Sequence, residues 1–394
     1  MSQAVSEAVK FFVERVQLYK EAAKHRKTHR VLNLSIALTP LMIYDSGYRL
    51  YDGLTNYDVL IQAVRKFHEK YQFDGYLDFG FRNPIRIGIA LGSLDYFVDE
   101  DDVVVEYHSD VSYMEEEDYD LMIKDYYRFL WTRVMPRKFP KLRGPHAKKR
   151  IIIGVKEYLK YIEFYTKIVN VLIQEYGVLP ILAVPQAAIP FETLYLSYRG
   201  AKKLAMDLRR MPDKVKEAMD VLWCIQLEKL KQVLQTPGTT TYNGPDIFTA
   251  MLGHNILSTK QFEEFYWPYL KELIDLASRH DKIIHIFAES ENSRFYQFFK
   301  EVPRGHVVIH FEMDNVFKAK EELGERVCLV GGMPISLLKH GTKEECVRYA
   351  KKLIDELASD GGYIFSTDKL VSYPHDYKPE NLLAVNQFIR NYRL

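Results

Sequence analysis

The sequence predicts an α/β fold, a (β/α)8 barrel of TIM type over residues 31–394 preceded by an N-terminal helical extension over 1–30. Three observations predict it. From Asp281 onward, short β-branched runs alternate with helical stretches four times, with no hairpin signal between them. Earlier apolar runs near residues 31, 76, 181 and 240 raise the count to about eight strands, joined by crossovers of the length that parallel strands need. No GxGxxG follows a strand and opens a helix, which argues against a doubly wound open sheet.

Val5 to Arg26 reads as a surface helix, apolar at Val9, Phe12, Val13, Val16 and Tyr19. VLNLSIA (31–37) is the first buried strand, and a helix over Asn56–Tyr71 follows. GYLDFGF is the second strand, carrying Asp78 and leading to Arg82. YFVDEDDVVVEYHSD alternates like an exposed hairpin. MEEEDYDLMIKDYYRFLWTRVMPR is a helix with acidic residues first and basic ones last, which suits its dipole. A basic, proline-punctuated connector leads to a long helix ending near Tyr176, then to the strand PILAVPQAAI and Pro190-Phe191-Glu192. Pro212 opens the second of two helices, in which Cys224 reads as a core thiol. TTTYNGPDI reads as a strand with Tyr242, Asn243 and Asp246 at its end. Ser258 with Gln261, and Thr342 with Glu345, form capping boxes, and Pro268 implies a kink.

The bulk numbers narrow the function classes. With 54 basic against 53 acidic residues the net charge is +1, so nothing favours nucleic acid or a membrane surface as partner. Three widely spaced cysteines argue against a disulfide framework and for a reducing, cytoplasmic setting. No stretch approaches the ~20 apolar residues of a membrane span. Aromatic residues reach 13%, enough to fill a large core or to line a pocket for a flat ligand.

Candidate chemistry concentrates between Asp281 and Asp314. His285 and Glu289 close the strand IIHIF, and Glu312 and Asp314 close VVIHFEM; parallel α/β folds build their sites at such carboxyl ends. A histidine nitrogen and a carboxylate oxygen suit zinc, so His285 and Glu289 are candidate metal ligands; the alternative is a histidine satisfied by a hydrogen bond at the rim. Glu312 and Asp314 alternate, so both face one side and one can act as a general acid if that side is the interior. Asp78, Arg82, Phe191, Tyr242, Asn243, Asp368 and Lys369 stand at strand ends as candidate substrate-binding residues.

HIFAES, EMDNVFKAKEELG, CLVGGMPISLLKHGTKEE, DGGYIFSTDK and KPENLLAVNQFI, in that order, resemble the second half of the uroporphyrinogen decarboxylase-like superfamily, which contains decarboxylases and corrinoid-dependent methyltransferases of anaerobes. PFETLYLSYRGAKKLAMDLRRMPDKV and STKQFEEFYWP are similar to its middle. The resemblance implies a (β/α)8 barrel. True decarboxylases carry an arginine-bearing opening loop and a Phe-Ser-Asp motif. Here VLNLSIALTP has no arginine after Arg30, and GYLDFGFRNP lacks the motif. Thiol methyltransferases bind zinc through His-X-Cys and a later Cys; here His285 matches, but Phe287 and Lys369 stand near the thiolate positions. The resemblance therefore implies a methyltransferase of the corrinoid-dependent branch, of O-demethylase type, with His285, Glu289, Glu312 and Asp314 as catalytic candidates. It implies a corrinoid carried by a partner protein, a small methyl donor, a homodimer, and zinc as a metal the site can take. A carboxy-lyase using Arg82, Arg199 or Lys369 to hold carboxylates, and a non-catalytic binding barrel, are the alternatives.

Overall fold

The computed structural model describes residues 2–81, 85–93, 95–106, 112–235 and 244–394. Two parallel sheets organise them. One has three short strands, β1 (Leu34–Ser35), β2 (Gly75–Tyr76) and β3 (Leu179–Pro180), in that order. The other runs β8-β7-β6-β5-β4, with β4 Ile247–Met251, β5 Ile284–Ala288, β6 Val307–Phe311, β7 Cys328–Met333 and β8 Tyr363–Thr367. Isolated parallel bridges join the sheets at both edges, Asn33 to Phe365 and Ala37 to Val371 at one and Gln186 to Phe248 at the other. Helices follow the strands and bury their apolar faces on them, as parallel sheets require.

The long sheet fixes which way side chains point. Phe311 of β6 meets the rings of Tyr296 and Phe299, on the helical side. Strand alternation then turns Val308 and His310 to the opposite face, with their register partners His285 and Phe287. The His310 ring lies 5.2 Å from Phe287 and reaches the Thr367 carbonyl at 3.0 Å. It passes over Gly331, where a Cβ would stand 3.1 Å from its Nε2. A side chain there would close that path.

The N-terminal helix (Ser2–Ala23) is part of this core. Its neighbours Asp74 and Gly177 precede β2 and β3, and Asp281 and Gly361, which meet Lys24 to Arg26 at its end, precede β5 and β8, so helix and end together lie across the N-terminal ends of the strands. Arg15 and Arg30 both bind buried Asp74, at 2.9 and 2.7 Å. Tyr19, fully buried, reaches His285 Nδ1 at 2.9 Å. Gly177 turns in the left-handed region (φ 63°) where a Cβ would meet the Ala8 carbonyl. The burial pattern differs from the surface helix expected: Leu18, Tyr19, Ala22 and Ala23 are inside, whereas Val9 and Val13 are exposed.

Locally encoded features match the sequence closely. The hairpin pairs Tyr96–Val98 with Val104–Glu106, and both capping boxes close. Asn56 caps Tyr57–Tyr71, and the chain breaks at Tyr266, between Thr259–Phe265 and Trp267–Arg279. Strand limits differ. β1 to β3 hold two residues each where longer runs were expected; of the expected strand TTTYNGPDI, the residues 239–243 lie outside the described residues, and β4 begins at Ile247, so that Asp246 precedes it. The crossover after β5 is one 3-10 turn and one short helix, Ser293–Phe299 in all. Cys224 is exposed, and no helix among the described residues is long and apolar enough to cross a membrane.

Candidate active site at the carboxyl ends of the strands

Backbone bonds carry the ladders one residue past the strands. Glu289 N donates to Met251 O (3.0 Å), Glu312 N to Ala288 O (3.1 Å) and Asp368 N to Met333 O (2.8 Å). Three carboxylates thus follow β5, β6 and β8 directly at one rim. Glu289 is half-buried there, with Glu312 on the neighbouring strand.

The loop after β5 is built by its neighbours. Ser290 sits in the left-handed region, and its N–H donates to Glu312 Oε2 at 3.0 Å. Asp314 accepts from the Asn292 N–H (3.1 Å), from Asn292 Nδ2 (3.0 Å) and from the Tyr296 hydroxyl (2.6 Å). Burial raises the Asp314 pKa against these donors. Because Asn292 Nδ2 donates to Asp314, its Oδ1 is the acceptor facing His254 Nε2 at 2.7 Å. Nε2 therefore carries the proton, and His254 Nδ1 is a buried acceptor without a partner. Burial holds His254 neutral, its pKa lowered to about 4.

A second network underlies the loop after β4. Glu192, 4% exposed, accepts from Leu252 N–H (2.9 Å), Gly253 N–H (2.8 Å) and the Tyr266 hydroxyl (2.7 Å). Burial pushes its pKa up to about 7, against the pull of those donors. The Tyr195 ring lies on Gly253, where a Cβ would approach its Cγ to 2.5 Å. The Tyr195 phenol is pushed up by burial and then by the charges of Glu192 and Glu289.

Several expected site residues have other work. His285 is the second residue of β5, at the floor, whereas Glu289 follows its far end, roughly 13 Å along the strand. They share no metal, and among the described residues no three His, Cys, Asp or Glu side chains come together as a metal group. Burial, then the neighbouring His310, lowers the His285 pKa to about 3. Glu312 and Asp314 lie past β6, and both turn to the same neighbouring loop, at Ser290 and Asn292. Phe191 is wholly buried against Tyr195 and Tyr266 and offers substrate no surface. Asp78, also buried, accepts from Thr39 N–H (2.8 Å) and Thr39 Oγ1 (2.7 Å), tying the loops after β1 and β2. Asp368 accepts from Ile335 N–H and pairs with Lys369 at 3.3 Å. Arg199 is committed to Asp207 and the Met114 carbonyl. Arg82, Tyr242 and Asn243 lie outside the described residues.

The sequence reading passed over Glu192, His254, Asn292 and His310. Glu192 alone left a signal, an acidic residue directly after Pro190-Phe191 at a strand end. A groove of about 700 Å³ exists at the opposite face, lined by Arg15, Arg30, His68, Asp74 and Arg390, away from these carboxylates.

The uroporphyrinogen decarboxylase (URO-D) family model matches residues 135–392, which include β3 to β8 and the networks of Glu192, His254 and Asp314. The chain belongs to the uroporphyrinogen decarboxylase family. Within solved structures it is similar to a methyltransferase from Methanosarcina mazei, with 14% identity and a TM-score of 0.57 over 95% of this chain and 98% of that one. That likeness speaks to the fold. No curated protein matches the chain. For this URO-D family member, then, Glu192, Glu289, Glu312 and Asp314 all lie inside the matched residues.

Proposed function

We propose that the chain is a methyltransferase that moves a methyl group from a small donor, such as an aryl methyl ether, to the Co(I) corrinoid of a partner protein. The observation that carries this reading is that Glu289 and Glu312 stand on adjacent strand ends at one rim. Family membership and the likeness to a methyltransferase support it. The edge bridges support reading the sheets as one eight-stranded barrel, whose carboxyl end is the catalytic face.

In demethylation of an ether the carbon–oxygen bond breaks, and the oxygen must take a proton because an alkoxide or phenolate leaves poorly. Glu289 is the general acid in this reading, a task on the order of 10²–10⁴ in rate. Glu312 and Asp314 are positioning residues, since they bond the backbone of the loop that Glu289 opens. Tyr195 offers an aromatic face to the donor ring. The corrinoid, bound to its partner, would supply the nucleophile for the methyl carbon. His285 and Glu289 stand roughly 13 Å apart along β5, so this reading places no zinc between them.

The test is consumption of cob(I)alamin with an aryl methyl ether under anaerobic conditions. Glu289→Gln should slow it about 10²–10⁴-fold. Equal rates in wild type and variant would remove Glu289 from the mechanism. Release of carbon dioxide from an acid substrate without any corrinoid would favour a carboxy-lyase, the activity in the family's name.

A further inference from the structure

The groove at the face opposite the rim lies among the N-terminal helix, the helix Tyr57–Tyr71 and the ends of Ala147–Tyr176 and Pro379–Asn391. Its volume of about 700 Å³ is that of a small-molecule site. Its floor is neutralised, because Arg15 and Arg30 are spent on Asp74 and on backbone carbonyls. Its walls are not. His68, 5% exposed, turns Nδ1 inward to the Tyr76 hydroxyl at 3.1 Å. That buried hydroxyl has no other acceptor among the described residues, so it donates, and the histidine proton sits on Nε2. Nε2–H has no acceptor among the described residues and is the edge the ring leaves to the groove. Burial, and then the charge of Arg15, lowers the His68 pKa to about 3, so this donor is neutral at physiological pH.

Arg390 donates to Gln72 Oε1 and Arg393 to the carbonyls of Arg390 and Tyr392; neither meets a carboxylate among the described residues. Glu69 accepts from the Tyr176 hydroxyl at 2.8 Å and, like Glu7, meets no cation there. The groove therefore presents charges of both signs. Gln72, which holds Arg390, stands three residues past Glu69 at the end of one helix, so the two signs are roughly one helical turn apart. Tyr176, its ring 4.6 Å from that of His68, and half-exposed Phe11 add apolar faces. We propose that this groove binds an α-amino acid with an aromatic side chain. Its carboxylate meets Arg390 and His68 Nε2–H, its ammonium meets Glu69, and its ring lies on Tyr176 and Phe11. A polyanion would face Glu7 and Glu69 without cations to offset them. A plain amine would leave Arg390 and Nε2–H without an acceptor. The site does not depend on the activity proposed above.

Isothermal titration calorimetry on the full chain tests it. Phenylalanine should bind one site per chain with a dissociation constant on the order of 10⁻⁴ M. Phenylpropionate, which lacks the ammonium, and phenethylamine, which lacks the carboxylate, should each bind at least about tenfold more weakly. Glu69→Gln should erase the preference over phenylpropionate, and Arg390→Ala that over phenethylamine, a split that general damage to the fold would not produce. Neither side chain is buried, so circular dichroism should stay unchanged. No heat at phenylalanine concentrations up to about 10 mM overturns the proposal, as does binding that both variants leave intact. Phenylpropionate that matches phenylalanine on the wild type overturns it too, since the groove would then read an anion alone.

Discussion

Replacing Glu192 by Gln should alter how stability depends on pH. In the folded chain burial raises the carboxyl from its ordinary value of 4.5 to about 7. Between those values the folded state holds a proton that the unfolded chain has released. Stability contributed by this group is therefore complete below pH ~4.5 and is lost as pH rises through ~7. At 1.36 kcal/mol per pKa unit, the loss is about 3 kcal/mol. Glutamine keeps the shape and one acceptor but cannot ionise. Denaturant unfolding of both proteins at intervals from pH 5 to pH 8 isolates the term, because the other titrating groups are shared. The stability of wild type minus Glu192→Gln should decline by about 3 kcal/mol across that window, mostly between pH 5 and 7. A difference that is flat, or that rises with pH, would mean the Leu252, Gly253 and Tyr266 donors outweigh burial and keep Glu192 ionised.

Asp74→Asn leaves buried Arg15 without its counter-charge and Arg30 with Glu14 alone, and should cost about 3–5 kcal/mol. For a chain of 394 residues that corresponds to a midpoint about 5 °C lower by calorimetry; a loss no larger than that of Asp58→Asn, an exposed pair with Lys167, would refute the role. Tyr19→Phe should cost about 1–3 kcal/mol in thermal unfolding, because it removes the hydrogen bond of His285 and leaves both ring nitrogens without partners. Wild type and His285→Ala should bind the same amount of zinc by elemental analysis, whereas zinc that disappears in the variant would return His285 to the metal site.

What was legible in the sequence was local. Asn56, Ser258 and Thr342 cap helices through residues within a turn, and the hairpin alternates over adjacent positions, so neighbours alone specify them. The regular β5–β8 rhythm was legible because each strand is a five- or six-residue apolar run. β1 to β3, two residues each, gave looser limits. The role of His285 turned on which end of β5 it occupies, and alternation carries no such direction. Glu192 depends on donors 60 and 61 residues away, and no spacing in the chain announces them.

The N-terminal helix has a consequence for how the molecule is made. Its anchors Asp74 and His285 lie 59 and 266 residues downstream of Arg15 and Tyr19. On the ribosome this helix emerges before either anchor, and Tyr19 waits for β5 before it has anything to close. Contacts this distant slow folding, and the first half of the nascent chain holds an apolar helix face without its cover. Chaperone dependence should therefore fall sharply once translation passes His285.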